Sequence, residues 1–339
     1  MTTDLVTIAV DIMGGDHGPS VTVPASLNCL QADSCLRLVL VGHEEAIEKE
    51  LKKHSVTDSL RARFSVQHAS EVVAMDEKPS AALRNKKDSS MRVAINLVKN
   101  KTADACVSAG NTGALMAVSR FVLKTHPKID RPAIVFNIPA RTGHCHVLDL
   151  GANLDCSAEQ LYQFALMGSI LSQAVDGIAS PRVGLLNIGT EEMKGNEVIK
   201  EAALLLKEDK KINYIGFVEA DGIYSGEVDV VSCDGFAGNV ALKSCEGTAR
   251  LFSNIIKEEL SRNLFTKLAG LITLPIWKAL KKKMDPGEYN GGTMIGLRGV
   301  VIKSHGSADI ASFATTIRLA SMEVDKNIPG LIEQWFDHK

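Results

Sequence analysis

Short apolar segments that each run into a glycine-rich loop recur along the whole chain, and this repeat constrains the fold more than any other feature. Buried strands of parallel sheets are short apolar runs, each followed by a turn and an amphipathic helix. Repeated units of this kind imply right-handed crossovers, so the sequence predicts a three-layer α/β/α fold with a largely parallel sheet. The predicted strands are Val6–Asp11, Leu36–Val41, Ala105–Ser108, Val147–Leu150, Val183–Ile188, Val228–Cys233 and Val300–Lys303.

Helices are predicted after these loops, and the whole chain is interpreted as one α/β domain, 1–339. A helical, amphipathic excursion from this domain is expected at about residues 242–285. The approximate helix starts are Pro19, Glu44, Ser157, Asn196, Leu242 and Ser307.

The glycine-rich loops are predicted to lie together, because ligands of such sheets bind beyond the carboxyl ends of the strands. Each loop also precedes a helix, whose free N–H groups and positive dipole end favour anions. The alternative is that each glycine only permits a tight turn. For any one loop, the tight-turn role is better supported than an anion site. For six loops at one edge of the sheet, the two roles are equally well supported.

Polar side chains accompany the glycines, and their types suit a small anion and a carbonyl oxygen bound side by side. Asn and Thr donate hydrogen bonds without charge, while Lys offers a point charge for phosphate. Capping of the loops is the alternative role, which we assign to about half of these residues. The set is Asp16, His17, Asn111, Thr112, Asn153, Thr190, Lys194, Asn239, Lys303 and His305.

Several common site signatures are absent from the sequence. No loop matches GxGxxG or GxxxxGK[ST], and neither GxSxG nor HExxH occurs. Five carboxylates at strand ends could bind Mg²⁺, but capping of helices is the commoner use of such residues, so no metal is predicted. They are Asp11, Asp16, Asp149, Asp155 and Asp234. His144 and His146 are interpreted as solvated histidines of a hairpin-like loop beside Arg141.

Composition excludes other classes of protein. With 38 Lys and Arg against 40 Asp and Glu, and only 5% aromatic residues, the chain is not expected to bind nucleic acid. Seven scattered cysteines without a CxxC motif indicate a reducing cytosol. The first basic residue is Arg37, so no signal peptide is expected, and no apolar run approaches the roughly 20 residues of a membrane span.

Six of the loops, taken together and in order, resemble those of the bacterial phosphate acyltransferase family known as PlsX. The similarity extends over about residues 6–325, and six motifs in order are far more specific than one. The matching segments are Asp11–Pro19, Ser108–Ala114, Leu148–Asn153, Asn187–Glu197, Cys233–Asn239 and Lys303–Gly306.

This resemblance implies transfer of a long-chain fatty acyl group from acyl carrier protein to inorganic phosphate, which forms acyl phosphate for phospholipid synthesis. It implies a homodimer without a cofactor, and a fold similar to isocitrate and isopropylmalate dehydrogenases and to phosphotransacetylases. The product would pass to a membrane glycerol-3-phosphate acyltransferase of the PlsY type. The protein would be cytoplasmic, associated peripherally with the inner face of the membrane.

The side chains suit this reaction without a nucleophilic triad. Phosphate is already anionic near pH 7, and a pantetheine thiol, like that of Cys with a pKa of about 8.5, leaves without a strong acid. Catalysis should then depend on positioning and on stabilising the oxyanion. Lys194 and Lys303 are predicted to bind phosphate or developing charge, with Asn111 and Asn239 as hydrogen-bond donors. The predicted phosphate-binding and substrate-binding residues are Gly15, Asp16, Asn111, Thr112, Gly113, Asn153 and Thr190.

His17 or His305 is predicted to assist the departing thiolate. A covalent route through Cys106 or Cys233 is the alternative, although buried cysteines at strand ends are more often inert.

A basic amphipathic segment follows the predicted helix from Leu242. Apolar residues at helical spacing, then Trp277 beside a lysine run, suit an anionic membrane surface. A helical hairpin in a dimer interface is an equally supported alternative. The lysines could instead dock the acidic carrier protein, for which Arg84, Lys86 and Lys87 form a second candidate patch. The apolar residues are Leu264, Phe265, Leu268, Leu271 and Ile272, and the lysines are Lys278, Lys281, Lys282 and Lys283.

Three rival functions remain at this stage. The first is a phosphotransacetylase-like enzyme that uses a short acyl-CoA. The second is a non-catalytic scaffold that binds carrier protein and phosphate at the membrane. The third, a metal-dependent decarboxylating dehydrogenase, is disfavoured because no Arg-rich carboxylate clamp or nucleotide motif is present.

Overall fold

The computed structural model describes residues 5–277 and 290–337. Eleven strands in these ranges form one sheet. The strands are β1 (Val6–Asp11), β2 (Leu36–Gly42), β3 (Phe64–His68), β4 (Ala105–Ser108), β5 (Ala133–Pro139), β6 (His144–Leu148), β7 (Arg182–Leu186), β8 (Asn213–Val218), β9 (Val230–Ser232), β10 (Gly292–Ile295) and β11 (Val300–Lys303).

Most of the numbered helices lie on the two faces of this sheet. The numbered helices are α1 (Pro19–Ala32), α2 (Glu44–Leu51), α3 (Asp58–Arg61), α4 (Pro79–Asn85), α5 (Ser90–Lys99), α6 (Thr112–Leu123), α7 (Ala158–Asp176), α8 (Glu197–Glu208), α9 (Gly235–Ser261), α10 (Leu264–Ile272), α11 (Ile310–Asp325) and α12 (Ile328–Asp337).

The strand order is β3-β2-β1-β4-β11-β10-β5-β6-β9-β7-β8. Seven of the ten pairings are parallel, so the prediction of a largely parallel α/β sheet is confirmed. The other three pairings join β10 to β11, β10 to β5 and β5 to β6, all antiparallel.

The expectation that all glycine-rich loops share one edge of the sheet is wrong. A tight hairpin between β5 and β6, closed by a hydrogen bond from Ala140 N to Gly143 O at 3.1 Å, reverses the chain direction. Strands β6, β7, β8 and β9 therefore run opposite to β1, β2, β3, β4 and β11. The loops that follow β1, β4 and β11 therefore lie where those strands end, at one edge of the sheet. The loops that follow β6, β7 and β9 lie where strands of the opposite direction end.

Alternating side chains divide the core between the two faces of the sheet. In the first half, one face packs with α1 and α11, and the other packs with α5 and α6. In the second half, α7, α8 and α12 cover one face. The opposite face, which includes Cys145 and Val147 of β6, packs against Leu242 of α9.

Local sequence signals set most helix starts. Ser157 caps α7 and forms a capping box with Gln160, and Asn196 caps α8 through its side chain. Both helix starts were predicted. The helix expected from Ser307 instead begins after the capping residue Asp309.

Among residues 5–277 and 290–337, no helix combines the length and the apolar character of a membrane span.

A buried glutamate in α11 predicts a pH effect on stability. Glu323 is 1% exposed and accepts a hydrogen bond from Thr293 Oγ1, while burial raises its pKa to about 8. The unfolded chain loses this proton near the ordinary pKa of about 4.3, so the folded state is penalised as pH rises from about 4.3 towards 8. We expect Glu323→Gln to remove this loss, on the order of a few kcal/mol, in urea unfolding at pH 5 and pH 8.

The outcome that contradicts this expectation is an equal loss of unfolding free energy between the two pH values in both proteins. Glu208→Gln, an exposed substitution at the end of α8, is the matched control and should keep the pH dependence of the parent chain.

Candidate functional site

Three neighbouring strands end in polar side chains that point to the same face of the sheet. Asp11, Ser108 and Lys303 are the last residues of β1, β4 and β11 and lie in register as direct partners. All three are buried, and Ser108 Oγ donates to Asp11 Oδ2 at 2.6 Å. Lys303 Nζ donates to Ala109 O at 3.3 Å and to Ser304 O. A cation is thus held at the edge where these strands end.

Burial governs the charge of Lys303. Removal from water lowers its pKa to about 8, and the negative charges of Asp11 and Asp16 act in the opposite direction. Burial likewise raises the pKa of Asp11, against hydrogen bonds from Ser108 and neighbouring groups. Lys303 is therefore cationic at neutral pH and becomes neutral on modest alkalinisation.

The loops around this lysine are packed so closely that only glycine fits. A Cβ on Gly14 would lie 2.7 Å from Gly110 N, and one on Gly15 would lie 2.9 Å from both Ala109 Cβ and Gly306 O. Gly15 also has φ +88°, a conformation that other residues rarely adopt. The loops after β1, β4 and β11 therefore form one packed unit, joined by Asp16 N donating to Gly306 O at 2.8 Å.

His305 follows β11 at the rim of this unit and is exposed. Its backbone N–H donates to Asn290 Oδ1 at 2.9 Å, and its ring Nδ1 lies 2.9 Å from Ser307 Oγ. Burial lowers the pKa of His305, while the charge of Glu246 opposes this shift and that of Lys243 adds to it. Helix α9 thus approaches the loop after β11.

Helix α9 lies near both the loop after β6 and the loop after β11, because the register of the sheet brings Leu148 of β6 level with Ile302 of β11. It begins after β9, where Asp234 Oδ1 accepts from Ala237 N at 2.8 Å, and a Cβ on Gly151 would lie 3.7 Å from Asn239. Asn239, Lys243 and Glu246 follow at helical spacing on one face, with a rise of about 6 Å from Asn239 to Lys243. Their shared face therefore links the loop after β6 to the loop after β11.

We call Asp11, Asp16, Ser108, Lys303 and His305, with Lys243 of α9, the Lys303 site. The sequence analysis predicted Asp16, Lys303 and His305 as site residues. It did not identify Ser108, Lys243 or Glu246 as neighbours of Lys303 and His305. The missing signal was the spacing of Lys243 and Glu246 from Asn239 along one helix.

A second polar cluster lies at the opposite edge and serves the backbone. Asp149 is fully buried and accepts hydrogen bonds from Ile134 N at 2.9 Å, Ala152 N at 3.2 Å and Asn153 N at 2.6 Å. The side chain of Asn153 donates to Asp149 Oδ2 and to Pro132 O, both at 2.9 Å. This pair holds the loop after β6 against the start of β5.

Asn111 is also engaged within the protein. Its Oδ1 caps α6 by accepting from Ala114 N at 3.0 Å, and its Nδ2 donates to Met75 O at 2.8 Å and Glu77 O at 2.9 Å. These contacts support the capping alternative for Asn111. Thr112 and Gly113, which follow it at the start of α6, are exposed.

The remaining predicted residues lie on exposed loops. Asp16 and His17 are exposed after β1, and Thr190 and Lys194 are exposed after β7. The Asn187 amide donates to Gly189 O at 3.1 Å and Lys194 O at 3.2 Å, which fixes the backbone of that loop. Lys194 and Lys303 thus follow strands that end at opposite edges of the sheet.

Both cysteines considered as nucleophiles are fully buried thiols. Burial raises the pKa of Cys106 and of Cys233 well above its usual range, and nearby carboxylates add to the shift. Since the thiolate is the nucleophile, these residues are poorly suited to covalent catalysis.

The interpretation of His144 and His146 as solvated loop histidines is wrong. Both belong to β6, and His146 is 1% exposed with its Nε2 atom 2.7 Å from Asp176 Oδ2. The predicted strand began only at Val147. In the structure, pairing with β5 in the hairpin extends the strand back to His144.

The chain is similar to known proteins along nearly its whole length. A family model described as "Fatty acid synthesis protein" matches residues 6–330. The "Phosphate acyltransferase" of Methylococcus capsulatus is 59% identical over 330 residues, covering 97% of this chain and 96% of the relative. That of Alkalilimnicola ehrlichii is 57% identical over 332 residues, covering 98% and 96%.

Solved structures share the fold at low sequence identity. A phosphotransacetylase from Streptococcus pyogenes matches with a TM-score of 0.61 and 15% identity over 96% of this chain and 95% of its own. A putative 4-hydroxythreonine-4-phosphate dehydrogenase from Salmonella typhimurium matches with a TM-score of 0.52 and 13% identity over 94% and 99%. The expected likeness to phosphotransacetylase and dehydrogenase folds is confirmed.

Proposed function

This chain belongs to the Fatty acid synthesis protein family and is similar to phosphate acyltransferases, and on this premise we propose that the Lys303 site is its active site. The chain is an acyltransferase that transfers a long-chain fatty acyl group from acyl carrier protein to inorganic phosphate. The acyl phosphate that forms is used in phospholipid synthesis.

The observation that carries the placement of the active site is the buried cation of Lys303 between three packed loops. A low dielectric around a buried positive charge strengthens its attraction for negative charge that develops nearby in the transition state. Because the charge is already in position, no reorganisation of the site is needed at that moment. Phosphate attacks the thioester carbon directly, the C–S bond breaks, and the carrier thiolate leaves. The raised pKa values of Cys106 and Cys233 support this direct attack.

Roles follow from the positions of the side chains. Lys303 binds phosphate or the developing oxyanion, and His305, at the opening of the site, assists the departing thiolate. Asn239 donates a hydrogen bond from the face of α9 that leads towards Lys243. Lys194 serves the same site only if substrate extends along α9 to the opposite edge of the sheet. The supporting contacts with substrate are assigned to Gly15, Asp16, His17, Thr112, Gly113 and Thr190.

Release of the carrier thiol tests this function. Purified protein incubated with long-chain acyl carrier thioester should release free carrier thiol only when inorganic phosphate is present. Phosphate-independent release would indicate a thioesterase, and preference for a short acyl-CoA would indicate a phosphotransacetylase-like enzyme.

The partners follow from this reaction. We propose that the chain forms a homodimer and passes acyl phosphate to a membrane glycerol-3-phosphate acyltransferase of the PlsY type. Arg84, Lys86 and Lys87, at the end of α4, remain a candidate docking patch for the acidic carrier protein. We also propose that residues 1–339 form one α/β domain, from which a helical, amphipathic excursion extends at about residues 242–285.

We propose that α10 attaches the protein to the inner face of the cytoplasmic membrane. None of its residues is buried, and Leu271 and Ile272 are 67% and 72% exposed. Trp277 follows, with its indole Nε1 donating to Thr273 Oγ1 at 3.0 Å. Such a helix suits the interface of an anionic bilayer. The lysines of the predicted basic run, Lys278, Lys281, Lys282 and Lys283, lie outside the described residues.

Vesicle flotation tests this attachment. With vesicles that contain an anionic phospholipid, the triple substitution of Leu271, Ile272 and Trp277 by Ser should abolish co-flotation, because the apolar surface that enters the interface is lost. Leu204→Ser on α8, where the leucine is 60% exposed, is the control and should float like the parent chain. Unchanged flotation of the triple variant would exclude α10 as the anchor, and a loss of dimer instead would assign its apolar face to the subunit interface.

A further inference from the structure

Two histidines and an aspartate form a compact cluster away from the Lys303 site. His144 and His146 project from one face of β6, and Asp176 is the last residue of α7. Cys145 and Val147, which alternate with the two histidines along the strand, point to the opposite face, where α9 packs. The histidine–aspartate cluster therefore lies on the side of the sheet that α9 does not cover.

The ligand atoms of this cluster converge. His144 Nε2 lies 3.4 Å from His146 Nε2 and 3.2 Å from Asp176 Oδ1, and His146 Nε2 lies 2.7 Å from Asp176 Oδ2. Zinc–nitrogen and zinc–oxygen bonds of about 2.0–2.1 Å place tetrahedral ligands about 3.3–3.4 Å apart. The three separations range from 2.7 to 3.4 Å, and each histidine faces a different oxygen of the carboxylate, so a zinc ion bound to one of these oxygens requires the Asp176 carboxylate to turn.

Two arrangements satisfy these groups. Each Nε2 can carry a proton and donate it to its own oxygen of the Asp176 carboxylate, or a metal ion can take the place of both protons. A divalent cation replaces both protons and uses the three lone pairs at once. Imidazole nitrogen and carboxylate oxygen are ligands that Zn²⁺ accepts, and three protein ligands leave one coordination position open.

The surroundings hold the cluster in place. His146 is buried on β6, and Ser172 Oγ donates to Asp176 Oδ2 at 3.0 Å, as outer-shell groups do around metal ligands. Nearby, Asp229 is neutralised by Arg182, whose Nε and Nη2 donate to it at 2.9 and 2.8 Å. The carboxylate of Asp176 has no Lys or Arg partner among its ion pairs in the described ranges, and its partners there are the two histidines and Ser172.

We propose that His144, His146 and Asp176 form a binding site for one zinc ion, which ties the start of β6 to the end of α7. The site is separate from the acyl transfer reaction. It would act on the stability of the second half of the sheet, because the ion joins a strand to the helix that covers it.

Zinc binding by the whole purified chain tests the proposal. After dialysis against Zn²⁺ and then against metal-free buffer, elemental analysis should find one retained ion per chain in the parent protein. His144→Gln and Asp176→Asn should each lose that ion while keeping the circular dichroism of the parent. Ser172→Ala should retain the site with affinity lowered by about 10–100-fold.

A second group of side chains provides the matched control. His126 lies 3.3 Å from Asp337 and near Glu333, but both carboxylates are exposed. His126→Ala should therefore retain the ion and the rise in melting temperature that Zn²⁺ causes. The Co²⁺-substituted protein should show ligand-field bands of a nitrogen and oxygen site without thiolate charge transfer.

Several results would overturn the proposal. These are no retained ion in the parent chain, equal retention in His144→Gln and Asp176→Asn, loss of the ion in His126→Ala, or thiolate absorption from any of the seven free cysteines.

Discussion

Lys303→Met should lower kcat for acyl phosphate formation by a factor on the order of 10²–10³, the usual loss when one preorganised group that stabilises the oxyanion is removed. The side chain is 5% exposed and its ammonium faces the edge where the loops after β1, β4 and β11 meet. Methionine keeps an unbranched chain of similar length and removes the charge together with the N–H groups that donate to Ala109 O and Ser304 O. Since burial already penalises the ammonium, we expect the variant to fold as stably as the parent.

The same lysine predicts a pH dependence. Lys303 is cationic below its pKa of about 8, so the rate should fall as pH rises through about 8. This alkaline limb should be absent from the small residual activity of Lys303→Met. Lys200→Ala, on the outer side of α8 and paired with Glu197, is the control and should keep the rate and its pH profile. Parental activity in a folded Lys303→Met variant would remove Lys303 from the active site.

Asp149→Ala should prevent stable folding. The carboxylate accepts hydrogen bonds from the backbone N–H of Ile134 in β5, from two backbone N–H groups of the loop after β6, and from the side chain of Asn153. Each buried donor left without a partner costs about 1–3 kcal/mol, and the sum approaches the total stability of about 5–15 kcal/mol of a typical protein. We expect little soluble protein or a large fall in the melting temperature.

Asp155→Ala is the matched control for this effect. Asp155 belongs to the same loop but is exposed, so its loss should leave the melting temperature within a small margin of the parent. A well-folded Asp149→Ala protein that has lost only activity would contradict the structural role. It would instead place Asp149 among the groups that contact substrate.

The sequence predicted the parts of the fold that depend on local signals. Strand β1 and the capped starts of α7 and α8 follow from a short apolar run, Ser157 and Asn196, and each lies where it was expected. The periodicity of an apolar run does not encode strand direction. Strands β5 and β10, and the antiparallel pairings that they form, therefore escaped prediction.

Prediction of the site was limited for the same reason. The loop motifs supplied Lys303 and His305, but motif glycines do not reveal which edge of the sheet they occupy. Asn111 and Asn153 resemble ligand donors in sequence, whereas their amides are engaged with backbone carbonyls of segments distant in sequence. Lys243 belongs to no loop and enters the site only because α9 lies near the loop after β11.

The two halves of the sheet contribute different parts of the proposed active site. The loops after β1, β4 and β11 hold the buried charge, and the second half supplies α9, whose polar face reaches them. A membrane-attached α10 would then keep this site close to the enzyme that uses its labile product.

Direct detection of the product is the most decisive measurement. Wild-type protein, long-chain acyl carrier thioester and inorganic phosphate are incubated in the presence of hydroxylamine, which converts acyl phosphate to a hydroxamate. We expect long-chain hydroxamate to form only when both enzyme and phosphate are present, and to be nearly absent with Lys303→Met. Hydroxamate formed equally without phosphate, or no hydroxamate from folded wild-type protein, would contradict this expectation.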